Sequence, residues 1–151
     1  MKGNTAMLNR IFVYGTLMAG KWNDREIYAK SRIACHKATI KGRIYAVAAF
    51  PGLRLDHEDS IVHGEVHEYL PEMMEKLLPL MDSLEGYQAD SMNNHYNRKV
   101  VNAKLEDGRE VEVYVYEYSR PVPEELRILS GTWTENSRNE ILTKQAKTVD
   151  R

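Results

Sequence analysis

The chain has a single cysteine, Cys35, among 151 residues. One thiol excludes an internal disulfide framework, so a packed core must supply the stability. It also lacks an excess of either charge: 21 basic against 22 acidic residues leave a formal net charge of −1. That balance excludes a general electrostatic attraction to nucleic acid or to an anionic membrane surface. No apolar run approaches the roughly 18–20 residues of a membrane-spanning helix. The longest, Ile44 to Phe50, suits a buried strand. Residues 1–9 lack the apolar stretch of a secretory signal, and no repeat or low-complexity tract is visible. The expectation is one cytoplasmic globular domain over residues 1–133, followed by a polar tail, 134–151, with a weak apolar pattern. The oligomeric state stays open.

Apolar patterning predicts the elements. Ile11 to Tyr14 reads as a first strand closed by Gly15. Trp22 to Ser31 reads as loop or short helix. His36 to Ala49 reads as one long strand bent at Gly42, and Phe50 to Leu53 as a turn. Ile61 to Tyr69 is a further strand. Pro71 opens a helix in which Met73, Met74, Leu77, Leu78, Met81 and Leu84 recur at helical spacing. Pro79 lacks an N–H, so a kink or two short helices are expected there; Gly86 is the stop signal. Val100–Leu105 and Val111–Tyr118, joined through Asp107-Gly108, predict a hairpin. In its second arm Val111, Val113 and Val115 share one face and Tyr114, Tyr116 and Tyr118 the other. Pro123 to Leu129 suggests a short helix. Several strands with one main helix predict an α+β fold or a decorated β-barrel.

Four local patterns carry chemistry. Gly15 to Lys21 fits the phosphate-loop spacing G-x-x-x-x-G-K. The next residue must offer a hydroxyl to a metal ion, and it is Trp22, so nucleotide binding is disfavoured. His63, Glu65 and His67 alternate on a strand and share a face, a conceivable zinc set for a metal-dependent hydrolase. A solvated polar face opposite Val62 and Val66 explains them more simply, and no metal is expected. Glu85 ends the main helix, where the dipole's negative end and apolar Leu84 both disfavour ionisation. A glutamate moved toward neutrality can accept and return a proton at working pH. Tyr14-Gly15-Thr16-Leu17 carries a strand into a tight loop whose N–H groups suit a carboxylate or a developing oxyanion.

These residues resemble a known family. Tyr14-Gly15-Thr16-Leu17 is similar to the Y-G-[ST]-L loop of γ-glutamylcyclotransferase-like proteins. Gly42-Arg43-Ile44-Tyr45 with Phe50-Pro51-Gly52-Leu53 resembles their G-x-[LI]-Y and Y-P-G-L stretch, and Val62 to Val66 their V-x-G-E-[LV] strand. Leu80 to Tyr87 resembles L-D-x-L-E-G-Y, and Tyr96-Asn97-Arg98 the Y-x-R that follows it. Val113 to Tyr116 and Ser130 to Trp133 resemble two later segments. The motifs keep the family's order from Tyr14 to Trp133, and the likeness is greatest to the γ-glutamylamine cyclotransferase branch. Phe50 stands for a commoner tyrosine, His67 falls where a tyrosine is frequent, Met81 stands for leucine and Thr132 for aspartate; none of these touches Glu85 or the Tyr14–Leu17 loop.

The resemblance implies a small mixed β-barrel with helices outside and a cavity at one end. It implies a cofactor-free enzyme in which a γ-glutamyl amide cyclises: its α-amine attacks its γ-carbonyl, giving 5-oxoproline and an amine. By the motif match, Glu85 is the catalytic carboxylate, and Tyr14, Gly15, Thr16 and Leu17 hold the γ-glutamyl head. Arg98 is open to two readings, a substrate carboxylate or an ion pair with Asp82, the second being favoured. Tyr116 would line the cavity and donate a hydrogen bond, although packing is the commoner role for such a residue. Trp133 reads as core or cavity wall and Cys35 as a small core residue. A ligand-binding protein on the same fold is the alternative from another class.

Overall fold

The computed structural model describes residues 7–15, 26–47, 50–89 and 91–134. Thr16, Leu17, the rest of the phosphate-loop-like stretch and the tail from residue 135 lie outside the described residues. The elements are β1 (Arg10–Val13), α1 (Glu26–Ser31), β2 (Arg32–Lys41), β3 (Arg43–Ala46), β4 (Pro51–Arg54), β5 (Ile61–Tyr69), α2 (Pro71–Glu85), β6 (Tyr96–Leu105) and β7 (Glu110–Tyr118). A 3₁₀ turn, Glu124–Leu126, follows. No helix among the described residues is long and apolar enough to cross a membrane.

Strands β1, β5, β2, β6 and β7 close into a barrel in that order. The pairings are antiparallel except at the closing seam, where β1 runs parallel to β7 and pairs through Ile11 and Tyr114. Period-two alternation sorts the side chains. Phe12, Ala38, Ile40, Val62, Val66, Ala103, Leu105, Val113 and Val115 form one buried cluster, joined by Ile128 and Trp133. Gly64 makes room in it: a methyl there would lie 2.3 Å from the Val13 carbonyl oxygen and 2.7 Å from Phe12 Cζ. At Gly42, whose φ of 152° suits glycine, the chain leaves β2 and starts a separate two-stranded sheet, β3 with β4. The predicted long strand is therefore two strands. The predicted turn at Phe50–Leu53 is mostly β4, because Pro51 and Gly52 pair with Ala46 and Tyr45.

Helix α2 lies on the outer side of the barrel. Its buried face, Met74, Leu77, Leu78 and Met81, clusters with Ile11, Val13, Tyr69, Tyr96 and Tyr116. Pro79 does not divide it, contrary to the sequence expectation. The proline is exposed, and so is Glu75, whose carbonyl loses its partner, so water can replace the missing bond. Gly86 ends the helix in the left-handed conformation, φ 70° and ψ 33°. The N–H of Tyr87 reaches back to the Asp82 carbonyl at 2.8 Å, the glycine-terminated helix end that the sequence signals. Because α2 is held by its apolar stripe, Leu77→Ala is expected to cost about 2–5 kcal/mol. A lower urea midpoint with an unchanged m-value would report it.

Cys35 is exposed and not in the core. Strand β2 turns Ile33, Cys35, Lys37 and Lys41 outward and buries Ala38 and Ile40.

Candidate active site

Tyr14 follows β1, and its hydroxyl donates to the Tyr116 carbonyl across the closing seam at 2.6 Å. Around this end of β1 and β7 lies a cavity of about 420 Å³. Its walls come from the end of β1 (Phe12 to Gly15), the end of α2 (Ser83 to Gly86), Phe50 and Pro51, and Tyr96, Tyr116 and Tyr118 of the hairpin; Val47 and His95 complete it. Glu85, Tyr14, Gly15 and Tyr116, four of the residues singled out from sequence, therefore meet at one place. Gly15 is packed so closely that a Cβ would sit 3.0 Å from both Cγ and Cδ of Pro51. A glycine there lets the backbone line the cavity.

Burial pushes the Glu85 carboxyl up to about 7. The carboxylate makes no hydrogen bond or ion pair with any described residue, so none of those residues opposes the desolvation. Three tyrosine hydroxyls near it are committed elsewhere. Tyr14 donates to Tyr116 O, Tyr96 to the Pro51 carbonyl at 2.8 Å, and Tyr116 to Asp82 Oδ1 at 2.6 Å. Burial raises all three phenols above their ordinary range, and the Glu85 charge adds to each. They are therefore neutral donors, and among the described residues of the cavity wall Glu85 is the group whose shifted pKa lies near neutrality. The wall is otherwise largely aromatic: Phe50 and Tyr96 have centroids 6.3 Å apart, and Tyr96 meets Tyr118 edge-on at 5.3 Å. Tyr96 and Tyr118, missed as site residues, were within reach of the sequence, since hairpin register sets them directly opposite one another.

Arg98 does not line the cavity. It pairs with Asp82 Oδ2, and its guanidinium lies 5.2 Å from the Tyr87 ring centroid and 5.0 Å from that of Tyr114. Of the two sequence readings, this is the ion pair. Trp133 is buried in the barrel cluster and is not part of the cavity wall.

The alternating His63, Glu65 and His67 do share a face, but not as a solvated row: His67 is 1% exposed. Cys35, opposite His67 on β2, replaces His63 in the cluster, with potential ligand atoms of Cys35, Glu65 and His67 within 4.8 Å of one another. His67 Nε2 lies 2.8 Å from Glu65 Oε1, and Nδ1 lies 3.3 Å from Arg32 Nη1. A guanidinium can only donate, so Nδ1 accepts and Nε2–H donates to Glu65. Both ring nitrogens are thereby used, and an arginine beside them opposes a dication. The set is a hydrogen-bond network that fits a neutral imidazole.

Comparison with known proteins gives a consistent result. The family model described as gamma-glutamyl cyclotransferase, AIG2-like, matches residues 11–135. A protein of Methanocaldococcus jannaschii named "Putative gamma-glutamylcyclotransferase" is 32% identical over 119 residues, covering 79% of this chain and 88% of its own. One of the same name in Halalkalibacterium halodurans is 33% identical over 111 residues, covering 70% and 94%. Among solved structures, an AIG2-like protein of Mus musculus superimposes with a TM-score of 0.60 at 22% identity, over 84% of this chain and 88% of that one.

Proposed function

Because the chain belongs to the γ-glutamyl cyclotransferase, AIG2-like, family, we propose that it cleaves a γ-glutamyl amide by intramolecular aminolysis, with Glu85 carrying the protons. The observation that supports this most is a lone carboxyl, raised to about 7, facing the same cavity as the Tyr14–Gly15 backbone.

The substrate supplies both nucleophile and electrophile, and the reaction closes a five-membered ring. Oriented intramolecular attack of this kind reaches effective molarities of about 10⁵–10⁸ M. The protein has three tasks. It folds the glutamyl chain so that the α-nitrogen meets the γ-carbon, donates to the developing oxyanion, and moves protons. The Glu85 carboxylate takes a proton from the α-ammonium, and the free amine attacks the γ-carbonyl. The new C–N bond forms as the carbonyl π pair moves onto oxygen. Protonated Glu85 then gives this first proton to the leaving nitrogen as the oxyanion pair re-forms the carbonyl, and the freed carboxylate takes the second proton from the α-nitrogen and passes it to the departing amine. The old C–N bond breaks, and 5-oxoproline and an amine depart. One group near neutrality is suited to both directions of transfer. No residue here needs a metal or organic cofactor for that sequence. Backbone N–H groups of the loop after β1 are the natural oxyanion donors. Thr16 and Leu17 are assigned to the γ-glutamyl head on the motif match alone.

Release of 5-oxoproline from a panel of γ-glutamyl dipeptides, glutathione, γ-glutamyl-lysine and γ-glutamyl-amines tests the proposal. Binding of panel members without any product would leave a ligand-binding protein on this fold. The proton role predicts a pH dependence of a given sign. The base form is the carboxylate, so kcat/KM is expected to fall as pH drops through about 7, approaching tenfold per unit. A flat profile between pH 5 and 8 would remove Glu85 as the base.

A further inference from the structure

We infer that Asp82 is a positioning residue for Glu85, clamped by Arg98 and Tyr116; the inference rests on Glu85 being the proton carrier. Glu85 makes no hydrogen bond or ion pair with any described residue. Its aim is therefore set by the backbone it stands on, the last turn of α2. That turn ends at Gly86, beyond which the helix stops. Helix ends fray, and the intrahelical bonds of a last turn are its weakest. Something outside the helix has to hold it.

Asp82 is three residues before Glu85, so the two belong to the same turn. Each of its oxygens is taken by a different strand: Oδ1 accepts from the Tyr116 hydroxyl of β7, and Oδ2 from the Arg98 guanidinium of β6. Its backbone carbonyl accepts from the N–H of Tyr87, which closes the helix end. The Arg98 head is itself held between the Tyr87 and Tyr114 rings. Two strands thus fix one carboxylate at two points, a geometry that resists both rotation and translation of the helix end. Tyr116 joins the two regions, since its ring lines the cavity while its hydroxyl secures Asp82. Glu85 inherits a fixed position without a partner, among the described residues, that would lower its basicity or compete for its proton. A direct arginine or backbone N–H on Glu85 would hold it too, but would favour the carboxylate and remove the near-neutral poise.

The test is Asp82→Asn, which keeps the shape but loses the ion pair, with Tyr116→Phe, which removes a single bond. Two quantities are read. The first is kcat and KM on the best γ-glutamyl substrate. The second is the titration of Glu85 by carboxyl ¹³C NMR, assigned with Glu85→Gln, which needs no substrate. The titratable groups that line the cavity with Glu85 among the described residues are Tyr14, His95, Tyr96, Tyr116 and Tyr118, and none of them is substituted in Asp82→Asn. In Asp82→Asn, kcat is expected to fall on the order of 10²-fold, with KM within about threefold of the parent. The Glu85 midpoint is expected to move down toward the ordinary carboxylate range as the turn loosens and water enters. Tyr116→Phe should show a smaller change of the same kind, and it carries the test if Asp82→Asn fails to fold. A folded variant with kcat and the Glu85 midpoint both unchanged overturns the inference. A parent protein that releases no 5-oxoproline overturns the proposed function; the NMR arm still decides whether Asp82 positions Glu85.

Discussion

Glu85→Gln is expected to lower kcat by about 10²–10⁴-fold, the usual contribution of a positioned general acid–base group. Glutamine is isosteric with the protonated carboxyl, so the cavity keeps its shape and substrate binding should change little. The same substitution has a second, opposite effect. Burial raises the Glu85 pKa to about 7 in the folded protein, against roughly 4.3 in an unfolded chain. A raised carboxyl binds its proton more tightly when folded, so its contribution to stability is greatest below the unfolded pKa. It declines as pH rises between the two values and is lost above about 7. Glutamine never ionises. Glu85→Gln should therefore leave the melting temperature nearly unchanged at pH 4.5 and raise it at pH 8, by roughly 1–3 kcal/mol of stability. A variant that loses activity yet gains nothing at pH 8 would show that Glu85 is not desolvated in solution. One that keeps full turnover would end its assignment as the catalytic carboxylate.

Gly64→Ala is expected to have the largest effect on folding. A methyl at Gly64 meets a backbone oxygen at 2.3 Å and the Phe12 ring at 2.7 Å. The oxygen belongs to Val13 in β1, whose ladder with β5 pairs Phe12 with Val66 and Val13 with Glu65. Neither obstacle is the free end of a flexible side chain, so β1 must shift away from β5, and the ladder between them suffers. The cost should be about 3 kcal/mol or more, a large share of the roughly 5–15 kcal/mol that stabilises a domain. Gly108→Ala is the control. That glycine sits in the β6–β7 turn at φ 94° with nothing within 4 Å of the new methyl. Only backbone strain applies there, about 1–2 kcal/mol. Urea denaturation followed by circular dichroism separates the two. Equal losses would mean that the interior beside Gly64 can yield.

The contrast between those glycines bears on how much the sequence discloses. Ile61–Tyr69 reads correctly as a strand to the residue, because Val62, Gly64 and Val66 alternate with His63, Glu65 and His67. The β6–β7 hairpin is legible from Asp107-Gly108 and the split of valines from tyrosines, as is the end of α2 from Gly86. Pro79 misleads because sequence gives the cost of a missing N–H but not which side of the helix bears it. Cys35 misleads because its residue type suggests the core while its parity, shared with Lys37 and Lys41, places it on the outward face. The β3–β4 pair is hidden because Gly42 marks a change of direction without saying which sheet the next strand joins. At the site, Glu85 is legible as a carboxyl with reasons to stay protonated. Tyr96 and Tyr118 depend on hairpin register, and the partnership of Asp82 with Tyr116 depends on a contact across 34 residues of chain. Separations of that length are set by packing, which no local pattern records.

The closing seam has a consequence for synthesis. Tyr14 and Tyr116 are 102 residues apart, yet a hydrogen bond joins them at the head of the cavity. Glu85 leaves the ribosome well before β7 does, so a nascent chain carries this carboxyl for some time with no pocket around it. Contacts this distant are slow to form, and the loop-closure entropy must be met before they are rewarded. Until β7 docks, the interior valines have no far wall and β1 presents an open edge, the state most exposed to mispairing. Activity thus becomes a report on completion: turnover should appear in step with the last strand, and a chain released early should be a client for chaperones without being a weak enzyme.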